Sequence, residues 1–88
     1  MKEKRLADDV EIRIKKLVSK CLKININEIK EDAAFVNDLG AGSLDLIELI
    51  LAMNDEFGID IEDEEAEKLI TVKDGLNYIR EKLKEQNQ

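Results

Sequence analysis

The sequence predicts an all-α fold, a small four-helix bundle of three longer helices plus one short third helix. Proline is absent and glycine occurs only four times in 88 residues, while Leu, Ile, Glu and Lys dominate. Such a composition favours helices joined by short connections. Three stretches repeat apolar residues at steps of three and four, the spacing of one helix face. A chain of this length holds one core, so residues 1–88 are read as a single domain.

The first helix is expected from about Asp8 to Leu22, with Val10, Ile14, Leu17, Val18 and Leu22 on one apolar face. Lys15, Lys16, Lys20 and Lys23 place positive charge toward its end, where it complements the helix dipole. A long connection, Ile24 to Gly42, follows, with Asn25, Asn27 and Asn37 as turn residues. Ile26, Ile29, Phe35, Val36 and Leu39 are expected to pin it to the core, with a short helical turn near Asn27–Lys30. The second helix is expected to start with Ser43 as its N-cap, carry Asp45 in its first turn, and stop at Gly58 after Phe57. Ile59-Asp60-Ile61 reads as an extended link and Asp63–Leu69 as the short acidic helix. Thr71-Val72-Lys73-Asp74 resembles a capping box that opens a last helix to about Leu83, burying Val72, Leu76, Ile79 and Leu83. Residues 1–7 and 85–88 are expected to fray.

Charge is unevenly spread. Eleven of the 21 acidic residues lie between Asp38 and Glu67, a stretch without Lys or Arg, and they account for the net charge of −7. That balance excludes nucleic-acid binding, which needs clustered basic residues, and makes basic proteins the natural partners. No apolar run is long enough for a membrane span. The lone Cys21 has no disulfide partner in the chain, which suits a reducing, cytoplasmic setting. A monomer is expected.

Within the acidic stretch, Ser43 follows Gly40-Ala41-Gly42 and opens an apolar helix. Catalysis by this serine lacks its usual base, since the chain contains no histidine. Ala41 and Asp45 stand where a nucleophile elbow needs glycines, and no Lys-Ser/Thr pair completes a phosphate loop. Asp60 to Glu65 lacks the central glycine and the ligand spacing of a calcium loop, so no metal site is expected. Two readings of Ser43 remain, a plain N-cap or a serine modified by another enzyme. A phosphodiester on it would meet free backbone N–H groups at a helix N-terminus. The second helix likewise admits two readings. Leu46, Leu49, Ile50, Met53 and Phe57 form a core face, and Leu44, Ile47 and Leu51 a second line. That line either packs beneath the long connection or stands exposed as a docking strip flanked by Asp45, Glu48 and Asp55.

Asp38-Leu39-Gly40-Ala41 and Ser43-Leu44-Asp45 are similar to the attachment motif of the acyl carrier proteins of fatty-acid synthesis, of the discrete, bacterial type. The likeness extends through Phe35-Val36, Glu48-Leu49, Glu56-Phe57-Gly58-Ile59 and Asp63 to Lys68, as far as Thr71-Val72. The resemblance implies that Ser43 receives 4′-phosphopantetheine from coenzyme A through a phosphopantetheinyl transferase (a holo-carrier synthase). The arm then carries acyl chains as thioesters to fatty-acid synthesis enzymes with basic docking patches, and the chain itself catalyses nothing. Leu44, Asp45, Ile47, Glu48, Leu51, Asp55, Glu62, Asp63 and Glu64 match the family's docking positions, and Leu49, Ile50 and Met53 would shelter the acyl chain. Gly42 stands where the family usually has Asp, which implies a looser loop and a weaker or altered transferase preference. Glu62 stands where many relatives have Pro, implying a softer start to the third helix. Carriers of aminoacyl or polyketide units, and an unmodified acidic interaction module, are the alternative functions.

Overall fold

A computed structural model describes the backbone of residues 2–86 and the side chains of residues 9–85. Among the described residues the helices are α1 (Lys2–Leu22), α2 (Ser43–Phe57), the short α3 (Asp63–Ala66) and α4 (Val72–Gln86). A 3-10 turn, Ile26–Glu28, interrupts the long connection. The four helices follow the expected order. α1 begins at Lys2 rather than Asp8, and α4 continues past Leu83 to Gln86. Both extensions consist of residues with fair to good helix propensity, and no breaker interrupts them. The frayed ends expected of the sequence fall in part on Met1, Asn87 and Gln88, which lie outside the described residues.

The apolar spacing of the three long helices becomes the core. Val10, Ile14 and Val18 of α1 meet Leu49, Met53 and Phe57 of α2 and Val72, Leu76 and Ile79 of α4, all buried. Leu17, Leu22 and Leu83, expected on the same faces, are half-buried at its margin. Ile59 and Ile61 are buried and the intervening Asp60 is exposed, as alternation along an extended link requires. Asn54 aims that link. Its backbone carbonyl accepts the Ile59 N–H at 3.1 Å and its side-chain Oδ1 accepts the Ile61 N–H at 2.9 Å. Gly58 ends α2 in the left-handed conformation, φ 63°, which favours glycine.

Two expectations are corrected by the packing. Of the five apolar residues expected to pin the long connection, Ile29 and Phe35 are buried and Leu39 half-buried, but Ile26 and Val36 face solvent. The connection pairs with the start of α4 through an antiparallel bridge between Ala34 and Thr71. Side chains alternate there, so Ala33 and Phe35 turn inward while Val36 turns out. α3 ends at Ala66 instead of continuing to Leu69. Beyond it the Lys68 N–H reaches the Glu65 carbonyl and the Leu69 N–H the Ala66 carbonyl, a tighter winding that delivers Leu69 to the core. No side chain caps the α3 N-terminus at Glu62, in keeping with a soft start.

Arg13 fastens α1 to the end of α2. Its Nε lies 2.7 Å from Glu56 Oε2, its Nη2 donates to the Glu56 carbonyl at 3.1 Å, and its guanidinium lies 4.5 Å from the centre of the Phe57 ring. A cation on the last carbonyls also suits the dipole of α2.

The capping box of α4 forms as expected. Asp74 Oδ2 accepts the Thr71 N–H at 3.0 Å and the Ile70 N–H at 3.1 Å, and Thr71 Oγ1 accepts the Asp74 N–H at 3.1 Å. The bond from the Thr71 backbone, more than that from Ile70, holds the Asp74 carboxyl below its ordinary value. A carboxyl depressed in the folded state stabilises the protein above the ordinary carboxylate range, and that stabilisation is lost as pH falls through the folded value. Asp74→Ala is therefore expected to cost about 1 kcal/mol at neutral pH, a fall in Tm of roughly 4–8 °C. Thermal melts on descending pH should show the difference from the unsubstituted protein shrinking in acid; a constant gap would mean the carboxylate is not the stabilising group.

Candidate functional site

The approach to α2 is wound by its own backbone. The Asp38 and Leu39 N–H groups donate to the Ala34 carbonyl at 2.9 and 3.0 Å, Gly40 to Val36 at 3.1 Å, and Ala41 to Phe35 at 2.8 Å. The Asp38 carboxylate closes the same turn from the other side, accepting the Ala34 N–H at 2.7 Å. Gly40 adopts φ 72°, a left-handed turn position that a side chain would strain. Ala41 is buried, and the chain then straightens through Gly42 into the helix. Anchored one step before an extended residue, Ser43 is left exposed at the start of α2.

Ser43 is not the N-cap. Gly42 occupies that place and Ser43 is the first helical residue. Glycine has no side chain with which to accept a helix N–H; instead Asp45 Oδ2 reaches back to the Gly42 N–H at 2.9 Å. The Leu46 N–H takes the Gly42 carbonyl at 3.0 Å, the first bond of the helix. The preceding N–H groups of Ser43, Leu44 and Asp45 meet no protein acceptor among the described residues, as the first turn of a helix without a capping side chain dictates. Nor is Gly42 loose. Its φ of −89° and ψ of 178° are open to any residue, and its N–H is held by Asp45. A Cβ there would meet only Asp45 Oδ2, at 3.6 Å.

Ser43 stands on the rim of an apolar cleft of about 290 Å³ between α2 and α3. Leu49, Ile50 and Met53, expected to form this interior, line it together with Phe35, Ala66 and Leu69. On the outer side of α2 the second apolar line faces solvent: Leu44 is 75 %, Ile47 54 % and Leu51 60 % exposed. Glu48 and Asp55 share that face and are exposed, as are Glu62, Asp63 and Glu64 at the start of α3. These five carboxylates form no ion pair among the described residues. By contrast, Glu56 is neutralised by Arg13, Glu65 lies 4.0 Å from Lys68, and Asp45, half-buried, is occupied with the Gly42 N–H.

The spacing of apolar residues could not reveal two side chains that matter here, Asp38 and Asn54, because both act through backbone groups distant from the motif's serine. For Asp38 the available signal is its type, since Asp commonly hydrogen-bonds nearby backbone in turns. Cys21 is half-buried, and burial, then the Glu48 carboxylate, push its thiol up, so it is a poor nucleophile. No three His, Cys, Asp or Glu side chains among the described residues are grouped to hold a metal ion, and no described helix is long and apolar enough to cross a membrane.

A family model described as a phosphopantetheine attachment site matches residues 13–79, well over half of the chain. The donor set at the start of α2 fits such a group. Three N–H groups at the positive end of a helix await an anion, no side chain at residue 42 occupies them, and an exposed hydroxyl stands beside them.

The exposure pattern divides α2 by energetic role. Leu51→Ala is expected to leave stability within about 0.5 kcal/mol of the starting protein, whereas Met53→Ala should cost roughly 2–5 kcal/mol; chemical denaturation of both variants would show equal losses if the strip were buried. The unpaired carboxylates should also repel one another. Added sodium chloride, magnesium or mild acid is expected to raise Tm, with magnesium acting by diffuse screening; a Tm indifferent to all three would mean the charges lie too far apart to matter.

Proposed function

The chain belongs to the phosphopantetheine-attachment family, and on that premise we propose that it is an acyl carrier whose Ser43 bears the 4′-phosphopantetheine arm. The arm's terminal thiol supplies the thioester linkage to the acyl chain. What supports this reading above all is the place of Ser43, exposed at the first turn of α2 and on the rim of a cleft walled by Leu49, Ile50 and Met53. The unpaired N–H groups of Ser43, Leu44 and Asp45 hold the phosphodiester, and Asp45 steadies them by fixing the turn at Gly42. The cleft walls exclude water from an apolar chain.

The exposed Leu44, Ile47 and Leu51, with Glu48, Asp55, Glu62, Asp63 and Glu64 around them, dock the transferase and the enzymes that load and unload the arm. Partners with basic rims and an apolar centre complement such a face, the charges guiding encounter and the apolar strip supplying contact. Among pathways, so dense an acidic face favours fatty-acid synthesis in the cytoplasm over amino-acid-carrying assembly lines. Asp45 serves this surface chiefly by ordering the helix start.

The test is intact mass after incubation with coenzyme A, magnesium and a phosphopantetheinyl transferase. A gain of one phosphopantetheine on the unsubstituted protein and none on Ser43→Ala is expected. No gain with several transferases would favour an unmodified acidic interaction module. Gly42→Asp, sterically permitted, should raise the rate of modification if the missing carboxylate weakens transferase recognition, and an equal rate would remove that idea.

A further inference from the structure

A groove of about 400 Å³ runs along the flank of α2 that faces α1. Leu17 and Cys21 of α1 and Ala52 of α2, all half-buried, form its floor. Glu48 and Asp55 stand on the α2 wall, and Lys20 and Lys23 on the wall made by the end of α1. All four are exposed, and none forms an ion pair among the described residues. Opposite charges therefore face one another across open space without meeting. Glu48, Ala52 and Asp55 follow at steps of four and three, one line along the helix, and the small Ala52 leaves the space between the walls unfilled. Both charges reach the floor, where burial raises the Cys21 thiol most, Glu48 adds to that rise and Lys20 opposes it. Arg13 meets Glu56 near the end of α2, whereas Cys21, further along α1, lies beside Glu48 nearer its start. The two helices thus run antiparallel, and the lysines lie toward the Ser43 end. Lys23 holds φ 58°, a left-handed position just beyond α1 where glycine is the easier residue. Local backbone preference does not account for a lysine there.

We propose that this groove takes a surface helix of a partner enzyme that carries both signs of charge, a basic residue for Glu48 and Asp55 and a carboxylate for Lys20 and Lys23. The inference rests on the docking reading of α2 above and names the kind of partner. Continuity supports it. The exposed strip of Leu44, Ile47 and Leu51 adjoins the line of Glu48 and Asp55 around the helix, so a partner seated on the strip meets the groove at its edge. Charge supports it too. α2 contains no Lys or Arg, so a uniformly basic patch is drawn to it in several orientations. Two cations along one margin break that symmetry. A partner turned end for end, or one whose basic rim reaches toward α1, sets like charges together, and that cost separates wrong partners from right ones. A partner with a carboxylate at this margin pairs both walls at once.

Two helical peptides held by the same lactam bridge serve as probes. Each presents two leucines and two arginines on one face, and they differ at a single edge position, Glu in one and Lys in the other. NMR of the full chain, labelled on backbone N–H groups and on Ile and Leu methyl groups, reads their binding. Both peptides are expected to shift Leu44, Ile47 and Leu51. The Glu peptide should also shift Lys20, Cys21 and Lys23 and bind about fivefold more tightly than the Lys peptide. Lys20→Glu combined with Lys23→Glu should reverse that preference, and the milder Lys20→Gln with Lys23→Gln should erase it. Shifts on the strip with equal affinity for the two peptides would overturn the groove and leave the docking reading standing. No shift on α2 with either peptide would overturn both. Lys23→Gly, which eases the left-handed backbone, is expected to raise Tm yet reduce the preference. An unchanged preference in that variant would mean that Lys23 serves only the end of α1, and would overturn its place in the groove.

Discussion

A long connection with only one short 3-10 turn must still satisfy its backbone N–H and carbonyl groups, and the arrangement of this domain depends on how the segment between α1 and α2 does so. Its solution is local winding around Ala34, closed by the Asp38 carboxylate, together with a single antiparallel bridge to Thr71 at the start of α4. The Val72 N–H to the Ala33 carbonyl at 3.0 Å, and Lys73 to Glu31 at 2.8 Å, extend the same seam. Once this seam is closed, Phe35 is driven into the core, Ala41 is buried beside it, and the backbone has one course left into α2. The exposure of Ser43, the wall of the cleft and the start of α4 are all consequences of that pairing.

Carboxylates in this chain divide between two kinds of work. Asp38, Asp45 and Asp74 each accept backbone N–H groups and close a turn or a helix start. Glu56 is tied to Arg13 and so fixes α1 against the end of α2. The exposed, unpaired acids on α2 and at the start of α3 do none of this, which leaves their mutual repulsion uncompensated inside the folded domain. They stand in a domain whose total stability is modest. A basic partner surface would relieve such repulsion, so a charge pattern unfavourable to the free domain would favour the docking proposed for it.

The core shows a similar tension. α2 buries Leu49, Met53 and Phe57 while Leu46 and Ile50 remain only half-buried beside the cleft. A fully packed bundle would have closed that space. It stays open because α3 is a single turn and cannot cover the whole of α2.

Much of this was legible in the residues. Helical periodicity marked the three longer helices and the buried faces of α1, α2 and α4, while residue type marked the short acidic helix, the extended link at Ile59-Asp60-Ile61 and the capping box at Asp74, because each is a local pattern whose meaning does not depend on distant chain. Type and position singled out Ser43 and the second apolar line of α2 in the same way. What periodicity left open, tertiary structure decided. Whether Leu44, Ile47 and Leu51 were covered depended on where the connection ran, and that was set by a bridge between residues far apart in sequence. The N-cap moved to Gly42 because the carboxylate that orders the turn came from Asp45 and not from the capping position. α3 ended early because Leu69 was drawn into the core. The sequence determined which segments coil and which faces are apolar, since these are short-range properties; only the folded chain decided which apolar faces are left for a ligand or a partner, because burial is settled by long-range neighbours.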